Sequence, residues 1–553
     1  MANIQQNPLI LDDFSRGVLR NLSPYKMPAE AVPHAVNFVF DENIGEATLR
    51  KGTAMVGAQI VNNKAVLGLA NFRSRSTANH ALLAVVSDGT NNDIYKATTW
   101  AKSLADDTKA LKTRFAQFLD SIVRVNGTDA RKSFNGTAWV STGGVFDLAN
   151  MPQGKYVVNF KDRVHVMDEN GTLYSSSVPR FFLDYDAQGS NFTVDKTVTG
   201  GTSKANGIIK NDTDAGAAGT LELIGVAGTF TDNETITDDN STPGSADVKG
   251  TGSWKLNWLN GTITTPIDPD NGDKGKATGF GVVGGLLLIF FERAMYSWNG
   301  STTEADKIVD IGCSSQESVV VIQGVCFFAN SDGVFATRGG YPQKISRFVQ
   351  DYFDNMSSAN YQHIASGGDG QHLFVSIGDV TIKKKLVANV VLRYTVQSQE
   401  QAILSYPSQP RVFSKYIDTN DVKLVYGDDD GNVIQIDSSD ENDNYASTTD
   451  YPIVYEIDTR DIFEPLKGAY KSIASRIVVN STESSGAKLL ARIDSDIEAD
   501  FKSIGEIKKE IQEFKNIPIE KFRYARFRIA GRSKAGRLSL QAIEIPNWRL
   551  LGY

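Results

Sequence analysis

The 553-residue chain carries 57 Lys and Arg against 65 Asp and Glu, a formal net charge of −8, with 41% hydrophobic and 22% charged residues. That balance belongs to a globular protein of about two to four domains; it excludes a largely disordered chain and argues against a general nucleic-acid binder. Two cysteines, Cys313 and Cys326, and five scattered histidines exclude a disulfide framework and a structural zinc site.

The chain has 48 Gly, 28 Phe and 19 Tyr, a mixture that suits many short strands joined by tight turns. Met1 to Gly17 shows no secretory signal, because no early basic residue precedes its apolar patch and Asp12 and Asp13 follow it. The expectation is a protein without simple export. Turn signals then recur in order: Asp88-Gly89, Asn126-Gly127, Asn135-Gly136, Asn170-Gly171, Asn260-Gly261, Asn299-Gly300, Asp332-Gly333, Asp369-Gly370 and Asp430-Gly431. Asn and Asp tolerate left-handed backbone and Gly prefers it, so these pairs predict two-residue hairpin turns. Apolar runs flank them, among them Leu82 to Ser87, Tyr156 to Phe160, Leu286 to Phe291 and Val325 to Ala329.

Gly261, Gly300, Gly333 and Gly370 are spaced by 39, 33 and 37 residues. A period of about 40 with hairpin turns predicts propeller blades. From Asn191 to Ser253 the aromatics thin to Phe192 and Phe230, yet Thr220 to Ile224 still alternates. This stretch reads as a small β domain grafted onto a blade loop, against the alternative of a long flexible loop. Ile345 to Asn355 reads as a short helix capped by Ser346. The acidic stretch Asp437 to Asp450 marks a boundary, and alternation returns in Ser472 to Val479, Lys488 to Ile493, Tyr524 to Ile529 and Leu538 to Ile545. Ile504, Ile507, Ile511 and Phe514 fit a short helix or an irregular strand equally well.

The expected fold is therefore all-β: a β-propeller with an inserted small β domain and a C-terminal β-sandwich-like platform domain. The expected divisions are an N-terminal arm with first strands at 1–60, propeller at 61–190, the insert at 191–254, propeller again at 255–445, and the platform at 446–553.

Few segments suggest chemistry. Gly279 to Gly284 matches GxGxxG, but a turn precedes it and a buried strand follows, where a dinucleotide site needs strand then helix. No cofactor is expected. Asp268 to Asp273 and Asp428-Asp429-Asp430 place carboxylates at turns, which would suit calcium, but neither keeps the EF-hand order and solvated turns fit better. No metal is expected. Neither a nucleophile elbow nor an HExxH helix occurs, so no catalytic residue is assigned.

Three segments near the N-terminus carry a resemblance: Phe14 to Val18, Pro33 to Phe40, and Gly45 to Thr53. With Phe115 to Asn126, Phe134 to Trp139, Lys161 to Val166 and Ile311 to Ile345, they resemble tail nozzle and head-closure proteins of short-tailed bacteriophages. The segments Gly200 to Ala205 and Ala227 to Ile236 are similar to a small β module of phage virion proteins. The resemblance implies a non-enzymatic virion protein, assembled in the host cytoplasm into the tail. It implies a homo-hexamer that docks on the adaptor and portal complex, carries tail fibres or tailspikes, and passes viral DNA without sequence-specific binding. Turns at Asp268, Asp270, Asp273, Gly367 and Asp369 are the candidate channel gates. The competing expectation is a carbohydrate-binding or glycan-cleaving propeller with its ligand at the central axis.

Overall fold

The computed structural model describes residues 8–552, without 24–25, 75–79, 88–90, 98, 106–110, 143, 259–262, 266–273, 303, 383, 419–420, 447–448, 463–469, 474–475, 483–486, 494–500, 516–523, 534–536 and 547. Among these residues the dominant feature is a set of seven four-stranded antiparallel sheets. Blade 1 begins with Val66–Arg73, blade 2 with Arg114–Phe118, blade 3 with Tyr156–Phe160 and blade 4 with Ala277–Val283. Blade 5 begins with Val319–Ile322, blade 6 with Ala365–Gly368 and blade 7 with Val412–Asp418. Each innermost strand contacts the next, and that of blade 7 contacts that of blade 1, so the ring is closed. The chain is a seven-bladed β-propeller.

Closure explains the sequence pattern. A blade is packed on both faces by its neighbours, so its inner strands read as continuous apolar runs rather than alternation. Leu82 to Val86 and Leu287 to Phe291 are wholly buried. The last blade is completed from the other end of the chain: Ala54 and Met55 pair with Gln435 and Ile434 as its outermost strand.

Seven of the nine pairs named above lie among the described residues, and in each of those seven the glycine has positive φ. Their turn type differs from the expectation. In Asn126, Asn135 and Asn299 the side-chain carbonyl accepts backbone N–H groups two and three residues on, making Asx turns within longer loops. Two-residue hairpin turns with positive φ at both positions are instead Lys161-Asp162, Gly284-Gly285 and Gln323-Gly324.

Blade 3 is interrupted between Leu173–Ser175 and its outermost strand Ile263–Thr265. The interruption begins a strand at Arg180–Ser190 and ends one at Ser253–Lys255. Within it, six strands pair in a cycle: Arg180–Ser190 with Gly219–Ala227, then Asn206–Asp214, Thr197–Gly200, Thr235–Asp238 and Ser245–Val248, which returns to Arg180–Ser190. This is a small closed barrel around its own core of Leu183, Tyr185, Val198, Ile209, Leu221, Phe230 and Ile236.

Apart from three two-stranded ladders, the remaining strands form a two-sheet sandwich, and both ends of the chain supply them. One sheet holds Ile511–Lys515, Arg476–Ser481, Ser539–Ile545, Ala47–Leu49 and Phe38–Val39, with Leu9–Leu11 also on Ser539–Ile545. The other holds His34–Val36, Val454–Asp458, Ala525–Arg532, Lys488–Ile493 and Lys502–Glu506. One continuous core joins this sandwich to blade 6.

One local expectation is corrected, and one open choice is decided. Ser346 opens a 3-10 turn, followed by the short helix Gln350–Asp354, but it caps neither; its hydroxyl accepts the Val334 N–H at 3.1 Å. The residues Ile504 to Phe514 form parts of two strands, Lys502–Glu506 and Ile511–Lys515, so their helical spacing was coincidental.

Candidate functional site

Two buried polar clusters stand out, one at the propeller axis and one where the N-terminal segment crosses to the sandwich. The axial cluster is built from residues that precede or open the innermost strands. Glu317 lies before blade 5, Lys112 and Arg114 before and at the start of blade 2, and Gln362 before blade 6. Arg114 pairs with Glu317 at 3.0 Å and Lys112 pairs with it at 3.0 Å. Lys112 also donates to the Gln362 carbonyl at 3.2 Å, and Arg114 to the Lys155 carbonyl at 3.3 Å. Blades 2 and 5 share no boundary, so this pairing crosses the axis. Arg114 lies over the Tyr156 ring at 4.6 Å, and Tyr156 donates to the Ala277 carbonyl of blade 4. One ion cluster thus ties five blades at one mouth of the ring.

Burial alone would raise the Glu317 carboxyl, but Arg114 and Lys112 outweigh it and hold it at about 2. It is an anion at any ordinary pH. Its neighbour Gln316 exchanges both amide hydrogen bonds with the backbone of Phe280 in blade 4. This places the GxGxxG segment: its first part is the innermost strand of blade 4, where a Cβ on Gly279 would sit 2.6 Å from Gln316 and one on Gly281 2.8 Å from Cys326 Sγ. The glycines allow close approach between neighbouring blades.

The second cluster is a clasp centred on Asn37 and Arg50. Every polar atom of Asn37 is used. Its N–H donates to Ile403 O, its amide NH₂ to Val454 O, and its amide oxygen accepts from Ser405 N–H and Arg50 Nε. Arg50 is buried and forms a two-pronged ion pair with Asp443 at 2.8 and 2.6 Å. It also donates to Ser405 O and lies 4.6 Å over the Tyr406 ring. Thr53 donates to the same carboxylate. Gly52 is wedged against Asn442, where a Cβ would overlap the backbone carbonyl. The acidic stretch around Asp443 is therefore part of the joint.

The candidate gate residues divide. Asp268, Asp270 and Asp273 lie outside the described residues. Gly367 is buried in the innermost strand of blade 6, where a Cβ would lie 2.6 Å from Phe413 of blade 7. Asp369 begins the following turn and accepts the N–H groups of Gln371 and His372. Its carboxylate also meets His372 Nδ1 at 2.6 Å, while His372 Nε2 meets Asp41 at 2.7 Å. Arg393 grips Asp41 at 2.7 and 3.0 Å. Burial disfavours the imidazolium, but the two carboxylates outweigh it and push His372 up to about 9. Asp369 is thus joined to the N-terminal segment through His372 and Asp41.

The three acids Asp428, Asp429 and Asp430 diverge. Asp428 closes an Asx turn with Asp430 and Asn432, Asp429 grips Arg411, and Asp430 accepts from Tyr445. Among the described residues no three His, Cys, Asp or Glu side chains are grouped to hold a metal. Burial pushes the Cys313 thiol up to about 12 and raises that of Cys326 as well. In the barrel, Glu234 accepts from Thr202, Ser203 and Thr231 N–H groups, which ties together the two segments resembling the virion module.

Sequence reading singled out neither Glu317 nor its cations. The only signal was a lone acid among serines in Ser314 to Ser318, which any exposed turn shares. No helix among the described residues is long and apolar enough to cross a membrane.

No protein-family model matches the chain, and no curated protein matches it. Among solved structures, YCF48 from Cyanidioschyzon merolae is similar over 70% of this chain and 98% of its own, with 10% identity and a TM-score of 0.36. YCF48 bound to D1 peptide is similar over 72% and 97%, with 8% identity and a TM-score of 0.35. The endosialidase of phage phi92 is similar over 80% and 79%, with 9% identity and a TM-score of 0.32. These scores carry no functional weight; the propeller is established by the chain's own seven sheets and closed ring.

Proposed function

We propose that this chain is a structural virion protein, the tail nozzle of a short-tailed bacteriophage. In this reading six copies form a ring that docks on the adaptor and portal complex and carries tail fibres or tailspikes. Viral DNA leaves through its distal channel without sequence-specific contacts. The observation that carries the reading is the clasp. The segments Pro33 to Phe40 and Gly45 to Thr53, which resemble nozzle and head-closure proteins, meet through Asn37 and Arg50 at the seam between propeller and sandwich. The residues that carry the resemblance are those that fasten a propeller to a platform.

The axial ion cluster adds support. It ties opposite sides of one propeller, so the channel in this reading runs between copies. A net charge of −8 suits a wall that must release phosphates rather than hold them. The reading assigns no catalytic residue and places the protein in the virion tail after assembly in the host cytoplasm. Its proposed gates are the turns at Asp268 to Gly275 and at Asp369-Gly370, without Gly367, which is buried in the innermost strand of blade 6; deleting either turn without changing DNA retention or release removes it.

Negative-stain microscopy with and without the portal–adaptor complex tests the proposal. A six-fold ring capping the complex is expected. Monomers that ignore the complex would overturn it, and polysaccharide cleavage or glycan-array binding by those monomers would favour the carbohydrate-directed propeller instead.

A further inference from the structure

The N-terminal segment from His34 to Met55 touches three bodies in one short run. His34–Val36 pairs with Val454–Asp458 of the sandwich. Asn37 bonds the outer strand of blade 6 at Ile403 and Ser405. Phe38–Val39 and Ala47–Leu49 return to the sandwich, while Asp41 between them is held by Arg393, His372 and Thr395 of blade 6. Arg50 and Thr53 then bind Asp443, and Ala54 and Met55 close blade 7.

We infer that this segment is a mechanical coupler: displacing the sandwich from blade 6 pulls on the closing strand of blade 7, so that platform seating and ring closure form one equilibrium.

The link between sandwich and closing strand is short. Leu49 is the last sandwich residue and Ala54 the first of the closing strand, with only Arg50, Lys51, Gly52 and Thr53 between. An extended residue spans at most about 3.6 Å, so this link has little length to give. It is also tied along its course: Arg50 N–H donates to Asn37 O, Gly52 N–H to Asp440 O, and Ser438 N–H to Gly52 O. Beyond it, the closing strand is held by two residue pairs, with Val56 N–H on Val433 O, Asn444 N–H on Thr53 O and Trp100 Nε1–H on Val56 O at its ends. Two residue pairs are a weak hold, so a shift of a few ångströms at the sandwich is resolved by freeing this strand. A coupling free energy is reciprocal, so loosening the closing strand must also loosen the sandwich.

Hydrogen exchange read by mass spectrometry on the full chain tests this, because it resolves local opening. Asp41→Ala removes a tie to blade 6 and leaves blade 7 untouched. Exchange is expected to rise about tenfold or more at 54–56 and 433–435 together with 454–458, while Tyr156–Phe160 and Leu286–Phe291 stay protected. Ala54→Pro, placed in blade 7, is expected to raise exchange at 454–458. A rise confined to the substituted side in either variant overturns the inference. Should Asp41→Ala fail to fold, Thr395→Val, which removes one hydrogen bond to Asp41, is read in the same way.

Discussion

Glu317 shows how one side chain can anchor a cluster that reaches five of the seven blades. Its side chain is charged, only 7% exposed, and shared between Lys112 and Arg114 at one mouth of the propeller. Breaking a buried ion cluster by removing one member leaves uncompensated charge, which costs about 3–5 kcal/mol. Glu317→Gln is therefore expected to lower the midpoint of thermal unfolding by several degrees. A double variant, Glu317→Gln with Lys112→Met, should recover part of that loss; calorimetry measures both. His372 sets a pH limit. Its folded value of about 9 stands above the ordinary 6.5, so its contribution is fully present below about 6.5 and is lost as pH rises through 9. That shift corresponds to about 3 kcal/mol at most. Urea unfolding followed from pH 6 to pH 10 should show this decline, and His372→Gln should flatten it. Glu317 acts in the opposite sense, contributing above its unfolded value near 4.5 and losing that contribution only as pH falls towards 2.

At the scale of elements, the inserted barrel is the most independent. Its six strands close on themselves, so it leaves few edges to be paired by the rest of the chain. Arg180 and Lys255 are partners across neighbouring strands, so the barrel enters and leaves at one place. Replacing 181–254 with a short Gly-Ser link is expected to leave the propeller folded, with its melting midpoint within about 5 °C of the parent. The isolated segment 180–255 should show its own cooperative transition by circular dichroism. An unfolded isolated segment, or loss of the propeller, would contradict this. The turns were legible at this scale. Positive φ is a local demand that Gly meets without steric cost, and seven described Asx-Gly glycines meet it. Which turn each would make was not legible, because an Asx side chain and a hairpin register compete for the same N–H groups.

At the scale of the molecule, the described N-terminal strands are structural parts of both the sandwich and the propeller. Deleting 1–56 removes Leu9–Leu11, His34–Val36, Phe38–Val39 and Ala47–Leu49 from the sandwich, and Ala54–Met55 from blade 7. The truncated chain is expected to lose cooperative unfolding and to aggregate, measured by calorimetry and light scattering. A soluble truncation with the parent transition would refute this dependence.

The sequence by itself determined the all-β class, the propeller period, many of the turn sites and the chemically distinct insert, because each follows from backbone preferences and apolar runs within about ten to forty residues. It also located Pro33 to Phe40 and Gly45 to Thr53 as segments of note. Only the tertiary structure decided that the blades number seven, since the closing strand Ala54–Met55 comes from the opposite end of the chain to its partner Val433–Gln435. Only the tertiary structure joined Arg50 to Asp443 and Glu317 to Arg114, across 393 and 203 residues. Charged side chains carry no mark of their partners in local sequence. Whether an acid is a solvated turn or a buried tie depends on which distant cation the closed ring brings beside it.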